Sequence, residues 1–235
     1  MRVQDHATDD HAGGCFPGQE HMKPPADERR ERVKRRVFLL VMVALAVLLF
    51  LSSSAWAVSI HAGNTRSPGY GVKADISTPA SAPYVGFSGQ SSWVSTAGPS
   101  YWVQTGWRYY YGYSAAKSYW EYNLPTGYQL QELSSQSWNF TRNYCVTLLD
   151  NGNWQVKING DPKGAWGAGA LGAPQDPVRA ESESHASYVE LDTPFNNVQY
   201  RGTTTWFNFN QSGWVEEDPY WVNVTYLWKY RSAGP

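Results

Sequence analysis

Cysteine is nearly absent: Cys15 and Cys145 are the two in 235 residues. That excludes a disulfide scaffold and a cysteine-built metal site. Charge is scarce as well, at 17 % of residues and a net of -1. A basic nucleic-acid binder, a coiled coil and a charge-driven disordered chain are thereby excluded. There is no Gly-rich phosphate loop, no zinc-protease histidine pair and no calcium-loop spacing. No internal repeat is visible, so a propeller or solenoid is not expected. After residue 57 no long window carries a clean 3.6-residue period, which leaves little room for helices.

Aromatics are abundant instead, with Tyr 16, Trp 12 and Phe 8, beside Gly 21 and Pro 14. This is the profile of an all-β, exported chain. The N-terminus supports export. Residues 1–36 are polar and end in the basic run ERRERVKRR. The apolar stretch Val37 to Leu51 follows, long enough for a signal-peptide h-region and short of a relaxed membrane span. Ala55-Trp56-Ala57 then fits a signal-peptidase site, so cleavage after Ala57 is expected. A retained single-pass anchor is the alternative, because the polar flank is unusually long. Either way the N-terminal helix meets the membrane during export, and the body is expected to lie outside. The organisation reads as 1–57 extension plus signal peptide or anchor, 58–72 lead-in, and 73–235 domain.

Short strand-like segments fill the body. YWVQTGWRYYY at 101–111 alternates, SYWEYN at 118–123 ends on Leu124-Pro125-Thr126-Gly127, and 128–138 reads as an edge strand. NYCVTLL at 143–149 meets WQVKI at 154–158 across Asp150-Asn151-Gly152-Asn153, strong hairpin chemistry. Residues 161–178 read as a long Gly/Ala/Pro-rich loop. PYWVNVTYLWKY at 219–230 is aromatic on both faces, which predicts a central strand. Eight to ten strands in a two-sheet antiparallel β-sandwich, of jelly-roll type, is the expected fold. Cys145, inside a periodic run, is expected to be a buried structural thiol.

Three groups of residues could carry chemistry. Gln104 shares a strand face with Trp102 and Gly106. Buried in so apolar a strand, its amide needs partners, or it serves as a polarising group in a cleft. Glu181, Glu183 and His185 fall on one strand face by period two, with Ala180, Ser182 and Ser184 opposite. Two carboxylates roughly 7 Å apart can split into an acid and a base; an ordinary solvated face is the plainer reading. Glu121, between rings in YWEY, is placed for a hydrogen bond inside a groove or for solvent. The surplus rings are expected to line a cleft or a binding platform.

The stretch YWVQTGWRYYYGYSAAKSYWEY resembles the glutamic endopeptidases of the eqolisin type, in which an apolar-Gln-Thr-Gly strand precedes an aromatic-Glu-aromatic strand. The resemblance places the Gln of the family's dyad on Gln104. It places the dyad's Glu, which follows an Ala late in the domain, on Glu181 of Ala180-Glu181. It implies a secreted, concanavalin-like sandwich with the dyad on a concave face. It further implies hydrolysis by direct water attack, with Glu181 as general base and Gln104 stabilising the oxyanion, favoured at acid pH, with no metal and no cofactor. This chain departs from the family in having Asn123-Leu124-Pro125-Thr126-Gly127-Tyr128 after the aromatic-Glu-aromatic strand and Ser182 after Glu181.

Two main roles stay open at this point. One is a peptide-bond hydrolase using Gln104 and Glu181. The other is a non-catalytic sandwich that binds glycan or cell-wall material with its rings. A glycosidase on the same scaffold is less well served, since the Glu-x-Asp-x-x-Glu pattern would fall on Glu181, Glu183 and Ala186. A peptide or glycan is the expected partner, and nucleic acid is not.

Overall fold

The computed structural model describes residues 59–66, 69–97, 101–167, 177–211 and 213–235, together with Phe38. The expected signal peptide or anchor falls outside the described residues apart from Phe38. Among the described residues no helix is long and apolar enough to cross a membrane.

The body is two antiparallel sheets. The first runs, in spatial order, β13 (Trp214–Glu216), β1 (Ile60–Arg66), β10 (Val178–Ser184), β3 (Gly89–Ala97), β4 (Trp102–Tyr110), β5 (Ala116–Leu124) and β6 (Gly127–Gln136). The second runs β14 (Trp221–Tyr226), β15 (Lys229–Ala233), β11 (Asp192–Arg201), β2 (Gly71–Ser77), β7 (Thr141–Leu148), β8 (Asn153–Ile158) and β9 (Asp161–Gly167), with β12 (Trp206–Asn208) paired to β11. The expected all-β sandwich is therefore the observed fold.

Alternation decides what fills the space between the sheets. Val103, Thr105 and Trp107 of β4 point inward and are fully buried, as are Val94 of β3 and Ala180 of β10. Tyr144, Val146, Trp154, Val156 and Phe195 meet them from the second sheet. Hydroxyls cross the same gap. Ser92 Oγ pairs with Ser182 Oγ at 2.8 Å and with Thr193 Oγ1 at 2.9 Å, and Ser232 Oγ donates to Ala62 O at 2.7 Å. Buried polar groups are tolerable because they are bonded in this way. They also fix how one sheet is aligned on the other.

Several expectations need correction. The described residues form 15 strands, more than the eight to ten expected. The lead-in 58–72 contains β1, which pairs with β10 along its whole length. The loop read at 161–178 begins with β9, paired to β8. The aromatic segment 219–230 is not one central strand. It is the β14–β15 hairpin, with β14 at the edge and Trp221, Val224 and Tyr226 exposed. Tyr226 stacks on Trp228 at 5.2 Å between ring centroids, so rings that read as two buried faces instead pack at a turn. The edge reading of 128–138 agrees with β6, the last strand of its sheet.

Candidate functional site

Register brings the singled-out residues onto the outer face of the first sheet. Three successive rows cross it. Glu121, Gln104, Ser95 and Arg179 are mutual neighbours on β5, β4, β3 and β10. Tyr119, Gly106, Trp93, Glu181 and Gly63 form the next row, ending on β1. Lys117, Arg108, Ser91, Glu183 and His61 form the third. Most of these side chains line a cleft of about 510 Å³ that includes Gln104, Glu121, Glu183, His61, Arg179 and Trp93, whereas Glu181 and Lys117 do not reach its wall.

Two glycines permit this arrangement. A Cβ on Gly106 would lie 1.9 Å from Ser92 O, a backbone atom that cannot give way. A Cβ on Gly63 would lie 2.7 Å from Glu181 Cγ and closer still to β10 backbone. Gly63 is thus the space across which the Glu181 side chain folds.

Gln104 sits at the centre. Its Nε2 donates to Glu121 Oε1 at 2.5 Å and to Tyr119 OH at 3.1 Å. Tyr128 OH donates to the other oxygen of Glu121 at 2.5 Å. Burial raises the Glu121 pKa; the Tyr128 bond, Arg108 and the Gln104 bond pull against it without cancelling it. Glu121 therefore takes up a proton at higher pH than an ordinary glutamate. The groove alternative for Glu121 is the one observed.

Glu181 and Glu183 share the face, as period two predicts, but differ in exposure. Glu183 lines the cleft, accepting from Trp93 Nε1 at 3.2 Å and from Ser59 Oγ at 2.5 Å. Glu181 is fully buried. His61 Nδ1 stands 3.5 Å from its Oε2 and Arg179 Nη1 3.9 Å from it, and neither carboxylate oxygen has a hydrogen-bond partner among the described residues. Gln104 and Glu181 lie two strands and two residues apart, about 12 Å at Cα on sheet spacings. In this structure the two side chains lean apart: Gln104 bonds toward Glu121 and Tyr119 of β5, while Glu181 folds over Gly63 of β1.

His61 is the site residue that sequence reasoning missed. Burial alone would lower its pKa; the Glu181 carboxylate, with Glu183 and Glu217, outweighs burial and raises it. His185 goes the other way, lowered mainly by burial. Its Nε2 pairs with Tyr110 OH at 2.8 Å at one end of the cleft. Arg108 lies over the Tyr110 ring, 4.2 Å from its centroid, and its Nε is 3.6 Å from Glu132. Among the described residues no cluster of histidine, cysteine and carboxylate groups could hold a metal ion. Cys145 lies on the other sheet, buried, with burial pushing its thiol up to about 11.

No family model and no curated protein sequence matches the chain. Solved structures do. Scytalido-glutamic peptidase, solved with a peptide-based transition state analog, superposes with a TM-score of 0.59 at 13 % identity, over 76 % of this chain and 99 % of that one. A second structure of it, with a transition state analog inhibitor, gives 0.53 at 14 % identity over the same shares. SCP-B, an eqolisin in complex with the tripeptide Ala-Ile-His, gives 0.50 at 11 % identity, again over 76 % and 99 %. At such identity the likeness is one of architecture: this chain has the concanavalin-like β-sandwich fold found in the glutamic peptidases of the eqolisin family.

Proposed function

We propose that the cleft hydrolyses peptide bonds by direct attack of water, with Gln104 and Glu181 as the working pair, in a body exported from the cell. The observation that carries this reading is the Gln104 amide on the same outer face as Glu121, Glu181 and Glu183. Attack forms a bond from water oxygen to the carbonyl carbon while Glu181 takes the water proton. The carbonyl oxygen becomes an oxyanion, and an N–H of Gln104 stabilises it. Glu181 then returns the proton to the amide nitrogen, the C–N bond breaks, and the carboxylate is restored.

Both N–H groups of Gln104 are occupied in the free site. The longer bond, to Tyr119 OH at 3.1 Å, is the one a substrate oxygen replaces more easily. Protonation of Glu121 removes the charge that strengthens the other. Acid conditions therefore release the amide for catalysis. Substrate must also displace His61 or Arg179 to reach Glu181, since both stand against that carboxylate.

This last point favours a second reading, a non-catalytic module. A base with no exposed surface does no chemistry unless its cover moves. In that case the rings of Trp93, Trp102, Tyr110 and Tyr128 hold an extended peptide or glycan by stacking. One experiment separates the two. Casein is incubated with the full chain at acid pH, beside Gln104→Ala and Glu181→Gln. Cleavage by the wild type that both variants lose supports the dyad. Cleavage retained in both removes it, and no cleavage by any of them, with glycan binding by titration, supports the module.

A further inference from the structure

The second sheet has its own concentration of charge, on the outer face that does not border the cleft. Lys73 of β2 and Lys157 of β8 flank Cys145 of β7 in direct cross-strand register. Arg201 of β11 reaches across β2 to the same place. Its Nη1 donates to Thr147 Oγ1 at 3.0 Å and to Leu148 O. Gly71 leaves the way open, because a Cβ there would crowd Val146 O and Thr147. Together these residues line a depression of about 430 Å³.

The three cations have no carboxylate partner among the described residues. Asp75, two residues from Lys73 on the same face, is engaged elsewhere. Its oxygens accept from Asn143 Nδ2 at 2.8 Å and Asn197 Nδ2 at 2.7 Å. Asp150 is the one acid on the lining, and it is exposed. Lys73 is held over the Trp206 ring, 4.6 Å from its centroid, and not by an anion. Lys73 and Lys157 stand two strands apart with Cys145 between them, so like charges are gathered here with no acid among the described residues paired to them. The group is also half-buried and anchored, unlike freely solvated lysines. The thiol at the base stays neutral, being pushed up by burial, and adds no opposing charge.

The geometry points to an oxyanion-binding site, built by Lys73, Lys157 and Arg201, that takes a phosphate, sulfate or carboxylate group. Arg201 offers the rest of its guanidinium in a fixed orientation, and the two ammonium groups supply charge from either side of Cys145. The anion arrives either as a free ion or on an acidic polymer.

Isothermal titration of the full chain tests this at constant ionic strength set with chloride. Sodium sulfate, sodium phosphate and an oligogalacturonate are the probes, with a neutral oligosaccharide of equal length as control. The site predicts saturable binding by at least one anionic probe and none by the neutral one. Lys73→Gln and Lys157→Gln should each weaken it about tenfold or more, and Lys157→Arg should restore it. Tighter binding of oligogalacturonate than of the free ions identifies a polymer-borne anion; equal or weaker binding identifies the free ion. No binding above chloride, or equal affinity in wild type and both glutamine variants, overturns the proposal. Neither lysine contributes to the cleft, so circular dichroism and casein cleavage should be unchanged in both variants.

Discussion

On the outer face of the first sheet, Glu121, Glu181 and Glu183 lie among Arg108, Arg179, His61 and His185. On the outer face of the second, Lys73, Lys157 and Arg201 gather with Asp75 already occupied by amides. The cleft is internally compensated: its carboxylates have cations or hydrogen-bond donors within reach. The other face is not. Compensated charge in a cleft is poised to move protons, because each ionisation shifts its neighbours. Uncompensated charge on an anchored surface is poised to bind its counter-charge. The same scaffold supports both because alternation hands each sheet an outer face independent of the core.

The core beneath both faces is where the comparison breaks most completely. Trp107, fully buried between the sheets, should cost about 3–5 kcal/mol when truncated to alanine. Denaturant unfolding measures that loss, and cleft and cationic face should fail together. An undiminished midpoint would mean that the sheets do not share one core.

Next in size is a change confined to the cleft. Gln104→Ala should lower peptide cleavage by about a hundredfold to a thousandfold, the usual range for one oxyanion donor. Titration of the second face with sulfate should be unaffected. A joint loss of both activities would point to misfolding and not to chemistry.

The pH dependence of stability separates the faces more finely. His61 has a raised pKa in the folded chain, since nearby glutamates outweigh its burial. Its contribution to stability is complete below its ordinary value of 6.5 and is lost as pH rises through the higher folded value. His185 opposes it: its lowered pKa gives stability present above 6.5 and lost as pH falls through the folded value. His61→Asn should therefore flatten the loss on the alkaline side in a pH series of thermal melts. An unchanged alkaline limb would show that His61 does not feel Glu181.

The smallest expected effect is on the cationic face. Lys157→Gln should alter unfolding free energy by no more than about 0.5 kcal/mol, as for most surface changes. Any shift should be toward greater stability, since a repulsion is removed. A clear destabilisation in anion-free buffer would mean that Lys157 packs structurally.

Much of the site was legible in the chain. Period two correctly put Gln104 on the face of Trp102 and Gly106, and Glu181 on that of Glu183. The neighbours of Gln104 were less visible, because Glu121 meets it only through the β4–β5 register. His61 was hidden by composition. Ala62-Gly63-Asn64 reads as a loose lead-in, yet its small residues are what a strand under the Glu181 side chain requires. Lys73, Lys157 and Arg201 lie far apart in sequence and carry no local motif. The aromatic 219–230 segment misled for the converse reason: rings at a hairpin turn mimic rings buried on two faces.

By itself the sequence determined the class of fold, the lack of helix among the described residues after residue 57 and which side chains share a strand face. Those follow from local alternation and turn chemistry, which act over a few residues. Only the tertiary structure decided which strands lie side by side. It thereby set that Glu181 is sealed while Glu183 is open, and that three distant cations converge. Those outcomes depend on long-range pairing, where the free energy comes from packing two whole sheets and no short segment carries it.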